Sequence, residues 1–272
     1  KQKTAYEIMP SLVGSEMCIR DSDRGIEITS ISDIPSRGTG LGSSSTYTVG
    51  LLNALYAYRN YFAGAERLAR EACTIEIERC GKPIGKQDQY IAAYGGLQFI
   101  RFNPDDSVFV DPIVCAPETR DRLQESLLML YTGLVRSADE ILEEQSRNTQ
   151  TDEEKRAGLR RMVRLAEQMR EALLRNDLDG FGDVLHAGWM EKRKLASGIT
   201  KPCIDEWYER ARAHGAIGGK ILGAGGGGFL LLYAPPERHP QICEALPELR
   251  PIDFRFSPQG SKLIYVEENG YE

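Results

Sequence analysis

At 272 residues the chain is long enough for two domains of modest size, each with a core of its own. With 41% hydrophobic and 27% charged residues it has an ordinary globular composition, and no apolar run is long enough to span a membrane. A net charge of -6 excludes a generally basic, nucleic-acid-binding surface, because the main basic cluster, Lys155 to Arg175, is interleaved with acids.

Residues 1–22 do not read as the start of a domain. Met9-Pro10-Ser11-Leu12-Val13-Gly14-Ser15 follows neither a helical nor a strand period, and Met9 to Ser22 resembles a translated sequencing-library adaptor, so the segment is expected to be foreign to the fold or disordered. From Gly25 the order improves, and the alternation of Ile26, Ile28 and Ser30 with Glu27, Thr29 and Ile31 predicts a strand ending near Asp33-Ile34-Pro35. Val49, Leu52, Leu55 and Tyr56 then recur at helical spacing, and Leu68, Ala72 and Ile75 mark a second helix ending near Arg79 to Gly81.

A third helix is predicted around Gln87 to Tyr94, broken by Gly95-Gly96. Leu97 to Phe102 and Val108 to Val114 predict a strand pair turning at Asn103-Pro104-Asp105. Leu127 to Thr132 reads as a buried strand. After it comes a run of helices in which Leu159, Met162, Ala166, Met169 and Leu173 form a core stripe. Strands are predicted again at Lys220 to Leu222, Phe229 to Ala234, Asp253 to Ser257 and Lys262 to Glu267, with a helix near Gln241 to Leu246. Strand, helices, strand, strand, helix, strand is the order of a ferredoxin-like unit.

Six scattered cysteines (Cys18, Cys73, Cys80, Cys115, Cys203, Cys243) form no CxxC pair, and three histidines form no metal-spaced cluster. Reduced thiols and a cytoplasmic location are expected, with no nucleic-acid or membrane partner.

Chemistry concentrates in three segments. Pro35 to Ser45, PSRGTGLGSSS, lies between a predicted strand and a helix start. Its glycines allow close backbone approach, its serines offer hydroxyls, and the helix end favours an anion, so it reads as a phosphate cradle rather than a flexible linker. Neither GxxxxGK[ST] nor a dinucleotide GxGxxG accounts for it. Gly223-Ala224-Gly225-Gly226-Gly227-Gly228 matches GxGxxG by letters, but a strand follows it, which excludes the Rossmann reading and leaves close approach to a ligand or another loop. Between these loops, Glu78 to Tyr90 is dense in polar groups; taken alone, it is a glycine-broken helix connection with Asp88 as a cap.

The first and last of these segments resemble motifs of the GHMP kinases. One is Pro, a short spacer and Gly-Leu-Gly-Ser-Ser, here Pro35 to Ser44; the other is Lys-x-x-Gly-Ala-Gly-Gly-Gly-Gly, here Lys220 to Gly228. Likeness extends from about Gly25 to near the C-terminus and includes Tyr131-Thr132-Gly133 and Ser197-Gly198-Ile199. Gly85-Lys86-Gln87-Asp88-Gln89-Tyr90 is most similar to the branch acting on a heptose 7-phosphate.

The resemblance implies an α+β GHMP kinase fold, with an N-terminal domain over 23–122 carrying the ATP phosphate loop and a ferredoxin-like C-terminal domain over 123–272. It implies ATP and Mg²⁺, a small sugar phosphate as acceptor, and room for a homodimer. Gly38, Gly40, Leu41, Gly42, Ser43, Ser44 and Ser45 would wrap the ATP phosphates, Ser44 and Glu78 would hold Mg²⁺ through hard oxygens, and Asp88 would be the catalytic carboxylate. Gly223, Ala224, Gly225 and Gly226 would border the substrate.

The family's first motif, a strand with a basic residue and a glycine-rich substrate segment, has no match ahead of Gly25. Part of the sugar site and of the adenine pocket is therefore expected to be missing from this chain, which as written would turn over little ATP. A sister kinase acting on galactose, fucose, mevalonate or homoserine is the enzymatic alternative, and a ligand-binding homologue without catalysis is the other.

Overall fold

The computed structural model describes residues 26–32, 40–135 and 137–266. Helix α1 (Ser43–Tyr58) packs with α2 (Ala65–Cys73) and α3 (Gln87–Tyr94) around Val49, Leu52, Leu68, Ala69, Ala72 and Tyr90. Alanines at the contact let the helices come close, while the larger side chains fill what remains. Over this cluster lies the hairpin of β1 (Gln98–Phe102) and β2 (Val108–Pro112), which pairs Ile100 with Val110. Its inward residues Ile100, Val108 and Val110 close the core from that side. At its tip the Asp105 carboxylate accepts from the Ser107 N–H at 3.1 Å and the Ser107 hydroxyl at 2.6 Å, and Asp106 takes a left-handed φ of 66°.

After α4 (Pro117–Ser126), strand β3 (Leu127–Tyr131) enters a four-stranded antiparallel sheet. Helices α5 (Ala138–Thr151), α6 (Glu153–Leu174), α7 (Leu178–Lys192) and α8 (Pro202–Ala213) lead to β4 (Gly218–Ile221) and β5 (Phe229–Tyr233), and α9 (His239–Ala245) leads to β6 (Arg250–Pro251). The sheet order is β4-β5-β3-β6, and the element order is the ferredoxin-like one expected from the sequence. Side chains of the sheet, among them Ile221, Leu130, Leu230 and Leu232, bury against Trp189, Ile204, Tyr208 and Ile242. Helix α7 lies directly on β4. A Cβ at Gly218 would fall 2.1 Å from the Gly182 carbonyl oxygen, so only glycine permits this approach, and it fixes where the end of α7 points.

Some predicted elements do not form. Residues 26–32 carry no strand, and the rest of that predicted strand lies outside the described residues, as do 1–22. Alternation makes a strand only when a neighbour supplies ladder partners. Residues 253–257 are irregular, and the edge strand is instead Arg250–Pro251. The Gln124 side chain takes the place of a neighbouring strand here: it donates to the Phe254 carbonyl at 3.1 Å and accepts from the Phe256 N–H at 2.7 Å. Residues 262–266 are likewise irregular, and Glu267 lies outside the described residues. Within the α6 stripe Leu159 and Met162 pack on the sheet core and Met169 and Leu173 on a second cluster around Phe181, whereas Ala166 is exposed. Cys73, Cys80, Cys115, Cys203 and Cys243 are unpaired, and no described helix is long and apolar enough to cross a membrane.

Candidate active site

Helix α1 begins without a side-chain cap. Gly42 occupies the N-cap with φ 66°, and its carbonyl accepts from the Thr46 N–H at 2.9 Å. Helix geometry leaves the N–H groups of Ser43, Ser44 and Ser45 without partners inside the helix, and the dipole places partial positive charge on them. The Ser43 hydroxyl is buried and finds no partner among the described residues. A buried orphan hydroxyl beside uncapped N–H groups fits an oxyanion such as a nucleotide phosphate. Ser44 is exposed and Ser45 is buried, so Ser45 can offer an anion only its main chain. Gly38 lies outside the described residues.

The second glycine loop is held on three sides. A Cβ at Gly40 would lie 2.6 Å from the Leu222 carbonyl oxygen and one at Gly223 would lie 2.5 Å from the Gly40 Cα, so the two loops touch through bare backbone. Both glycines have positive φ, which adds a second reason for their identity. Gly226 N–H donates to the Ile199 carbonyl at 2.6 Å and Gly228 N–H to the Leu134 carbonyl at 2.9 Å, while the Thr132 hydroxyl donates to the Gly228 carbonyl at 2.8 Å. Tyr131 to Gly133 and Ser197 to Ile199, singled out in sequence, thus belong to the walls of this loop. Of the four residues expected to border substrate, Gly225 and Gly226 are buried in these contacts. Gly223 is exposed and Ala224 partly so, and these two are the ones a ligand can reach.

Asp88 stands in the first turn of α3 and presses against the first glycine loop: a Cβ on Gly42 would lie 3.1 Å from its Oδ2. Burial pushes the Asp88 carboxyl above the usual carboxylate range, and the nearby Glu76 carboxylate pushes the same way, while Lys192 and Lys220 oppose the rise. Lys220, on β4, is itself lowered by burial and supported by Asp88.

The residue beside Ser44 is Glu76, not Glu78. Helix α2 continues as a π-helical turn, Thr74–Arg79, whose wider winding turns Glu76 inward. The Ser44 hydroxyl donates to Glu76 Oε1, and Gln89 Nε2 donates to Glu76 Oε2 at 2.6 Å. Glu76 is 4% exposed. Glu78 is exposed, and among the described residues it accepts only a 3.3 Å bond from the Thr74 hydroxyl. The expected pairing of Ser44 with Glu78 is therefore corrected to Ser44 with Glu76. Among the described residues no group of three or more His, Cys, Asp or Glu is arranged to hold a metal by itself. Ser44 and Glu76 offer a hard-oxygen pair of the kind that binds Mg²⁺ together with phosphates and water.

The family model described as GHMP kinases N terminal domain matches residues 5–96, and the GHMP kinases C terminal model matches residues 169–251. The chain is 32% identical over 233 residues to D-glycero-alpha-D-manno-heptose 7-phosphate kinase of Campylobacter jejuni, covering 85% of this chain and 68% of that one. The chain belongs to the GHMP kinases. Another relative of this GHMP kinase is mevalonate kinase of Pyrococcus abyssi, 25% identical over 262 residues, covering 93% of this chain and 73% of the relative. Among solved structures, a D-glycero-D-manno-heptose 1-phosphate kinase from Bacteroides thetaiotaomicron superposes with a TM-score of 0.73 at 27% identity, covering 95% of this chain and 74% of that one.

Sequence reasoning on this GHMP kinase missed Glu76 and Lys192. Ile75-Glu76-Ile77-Glu78 offers two equivalent acids, and only the π turn decides between them. Lys192 sits 28 positions before Lys220, at the end of an ordinary amphipathic helix, and nothing in its spacing marks it.

Proposed function

We propose that this chain is an ATP-dependent kinase that transfers the γ-phosphoryl group to a hydroxyl of a heptose phosphate. The observation that carries the reading is the Asp88 carboxylate, pressed against Gly42 of the phosphate loop and facing the lysines beside the second glycine loop. In this reading the uncapped N–H groups of α1 and the Ser43 hydroxyl bind nucleotide phosphates, and Asp88 accepts and orients the proton of the attacking sugar hydroxyl. A pKa raised by burial suits a base that must take up a proton during transfer. Ser44 and Glu76 would hold Mg²⁺, which when bound supplies Lewis-acid charge at the phosphate oxygens.

The acceptor class rests on two relatives whose names both specify a heptose phosphate, one a 7-phosphate and the other a 1-phosphate. The test uses Asp88→Asn in the protein expressed from its complete reading frame. Turnover should fall ~10²–10⁴-fold with nucleotide affinity nearly unchanged. A kcat close to the parent's would remove Asp88 from the chemistry and the kinase mechanism with it.

A further inference from the structure

Three helical elements packed in one core cluster converge on a single carboxylate. Ser44 of α1 donates its hydroxyl to Glu76 Oε1, and Gln89 of α3 donates its amide to Glu76 Oε2 at 2.6 Å. The π turn that carries Glu76 is tied at the main chain as well, because the Lys82 N–H donates to the Glu76 carbonyl at 3.0 Å. The two grips on the carboxylate differ in kind. Ser44 is exposed, and a hydroxyl can turn its proton away and offer lone pairs instead, so its contact with Oε1 can give way to a cation. Gln89 is fully buried, its amide can face a carboxylate only through N–H, and its own Oε1 has no donor among the described residues. Among the described side chains only Glu76 orients this amide, which holds Oε2 on the side away from Ser44.

A carboxylate free to turn can present both oxygens to one cation, a mode that Ca²⁺ accepts. Mg²⁺ is smaller, demands near-ideal octahedral geometry, and is held by one or two carboxylates together with phosphates and water. We propose that Gln89 is a positioning residue that sets the cation preference of the site: by holding Glu76 Oε2 it leaves Oε1, the oxygen on the Ser44 side, to face a cation, and so favours Mg²⁺ over Ca²⁺. The inference rests on the reading of Ser44 and Glu76 as the metal-holding pair. Gln89 acts through Glu76 and touches neither nucleotide nor acceptor. Partners behind a metal ligand act in this way elsewhere, and their loss weakens metal binding ~10–100-fold. Gln89 follows Asp88 in the first turn of α3, so one helix turn both presents the proposed base and fixes the proposed metal ligand.

The test follows ADP binding by calorimetry at graded free Mg²⁺ or Ca²⁺, in the protein expressed from its complete reading frame and in two variants. Gln89→Met keeps the length and removes the donors, and Gln89→Asn keeps the amide on a shorter stem. The parent is expected to reach half-maximal ADP binding at a lower concentration of Mg²⁺ than of Ca²⁺. In both variants the Mg²⁺ midpoint should rise ~10-fold or more while the Ca²⁺ midpoint changes little, so that the preference collapses. Parental midpoints in either folded variant would overturn the inference. An equal rise for both cations would also overturn it, leaving Gln89 a support for the site with no part in cation choice, and so would a parent with equal midpoints. Should both variants unfold, a crystal structure of the parent with Mg²⁺ and ADP decides: Glu76 facing the cation through Oε1 with Oε2 still on the Gln89 amide supports the inference, and both oxygens on the cation overturn it. A parent that binds ADP equally well without either cation overturns the metal reading and this inference together, and one that binds no ADP overturns the kinase reading as well.

Discussion

Replacing Glu76 by Gln removes the charge beside Ser44 and confronts the Gln89 amide with a second amide, whereas Glu78→Gln alters an exposed side chain. The Glu76 variant should need a higher Mg²⁺ concentration for half-maximal activity, and the Glu78 variant should titrate like the parent. Coincident curves for Glu76→Gln and the parent would make Glu76 a structural residue. Asp88 yields a prediction of opposite character, on stability. Its folded-state pKa is raised, so the folded protein holds the proton more tightly than the unfolded chain, and the ionised carboxylate weakens the fold increasingly as pH rises above the unfolded value. Asp88→Asn should therefore melt above the parent at neutral pH, by ~2–4 °C, with the gap closing as pH falls below the ordinary carboxylate range. A lower melting temperature at pH 7 would contradict the assigned balance of charges. At this scale the sequence made Asp88 and the serines legible, because they sit at helix starts next to glycine loops. It could not choose between Glu76 and Glu78, because their alternation with isoleucine looks the same from either side.

Elements carry the site through close backbone contact. Gly40→Ala should bring a methyl group to 2.6 Å from the Leu222 carbonyl oxygen at a positive φ, forcing the two glycine loops apart. We expect at least a tenfold loss of kcat/KM, ~1.4 kcal/mol or more, and a lower unfolding temperature. By contrast Gly50→Ala, where an added Cβ meets nothing within 4 Å on the face of α1, should leave the melting temperature at or above the parent's. Equal behaviour of the two variants would show that the loop contact is not needed. Helices α1 and α3 and the hairpin were legible through the spacing of their apolar residues, and β3 and β5 through short continuous apolar runs, Leu127–Tyr131 and Phe229–Tyr233. The segment at 253–257 has comparable alternation but spends its backbone groups on the Gln124 side chain, a partner more than a hundred positions away that no local pattern announces.

Across the whole molecule, the two glycine loops come from opposite ends of the described chain and meet at a carboxylate from a third segment, which is the arrangement on which the kinase reading depends. That architecture was visible in the sequence through its two glycine motifs, whereas the place of Lys192 beside Asp88 became visible only once α7 was seated on β4. In the proposed reading the first loop serves phosphate chemistry common to the family, so the acceptor is the part of that reading with most to lose. The direct measurement is kcat/KM for ATP-dependent phosphorylation by the protein expressed from its complete reading frame, over D-glycero-D-manno-heptose 7-phosphate, galactose, fucose and mevalonate, with the product confirmed by its gained phosphate. The account predicts the highest kcat/KM for the heptose phosphate. A higher value for any of the three unphosphorylated acceptors would contradict it.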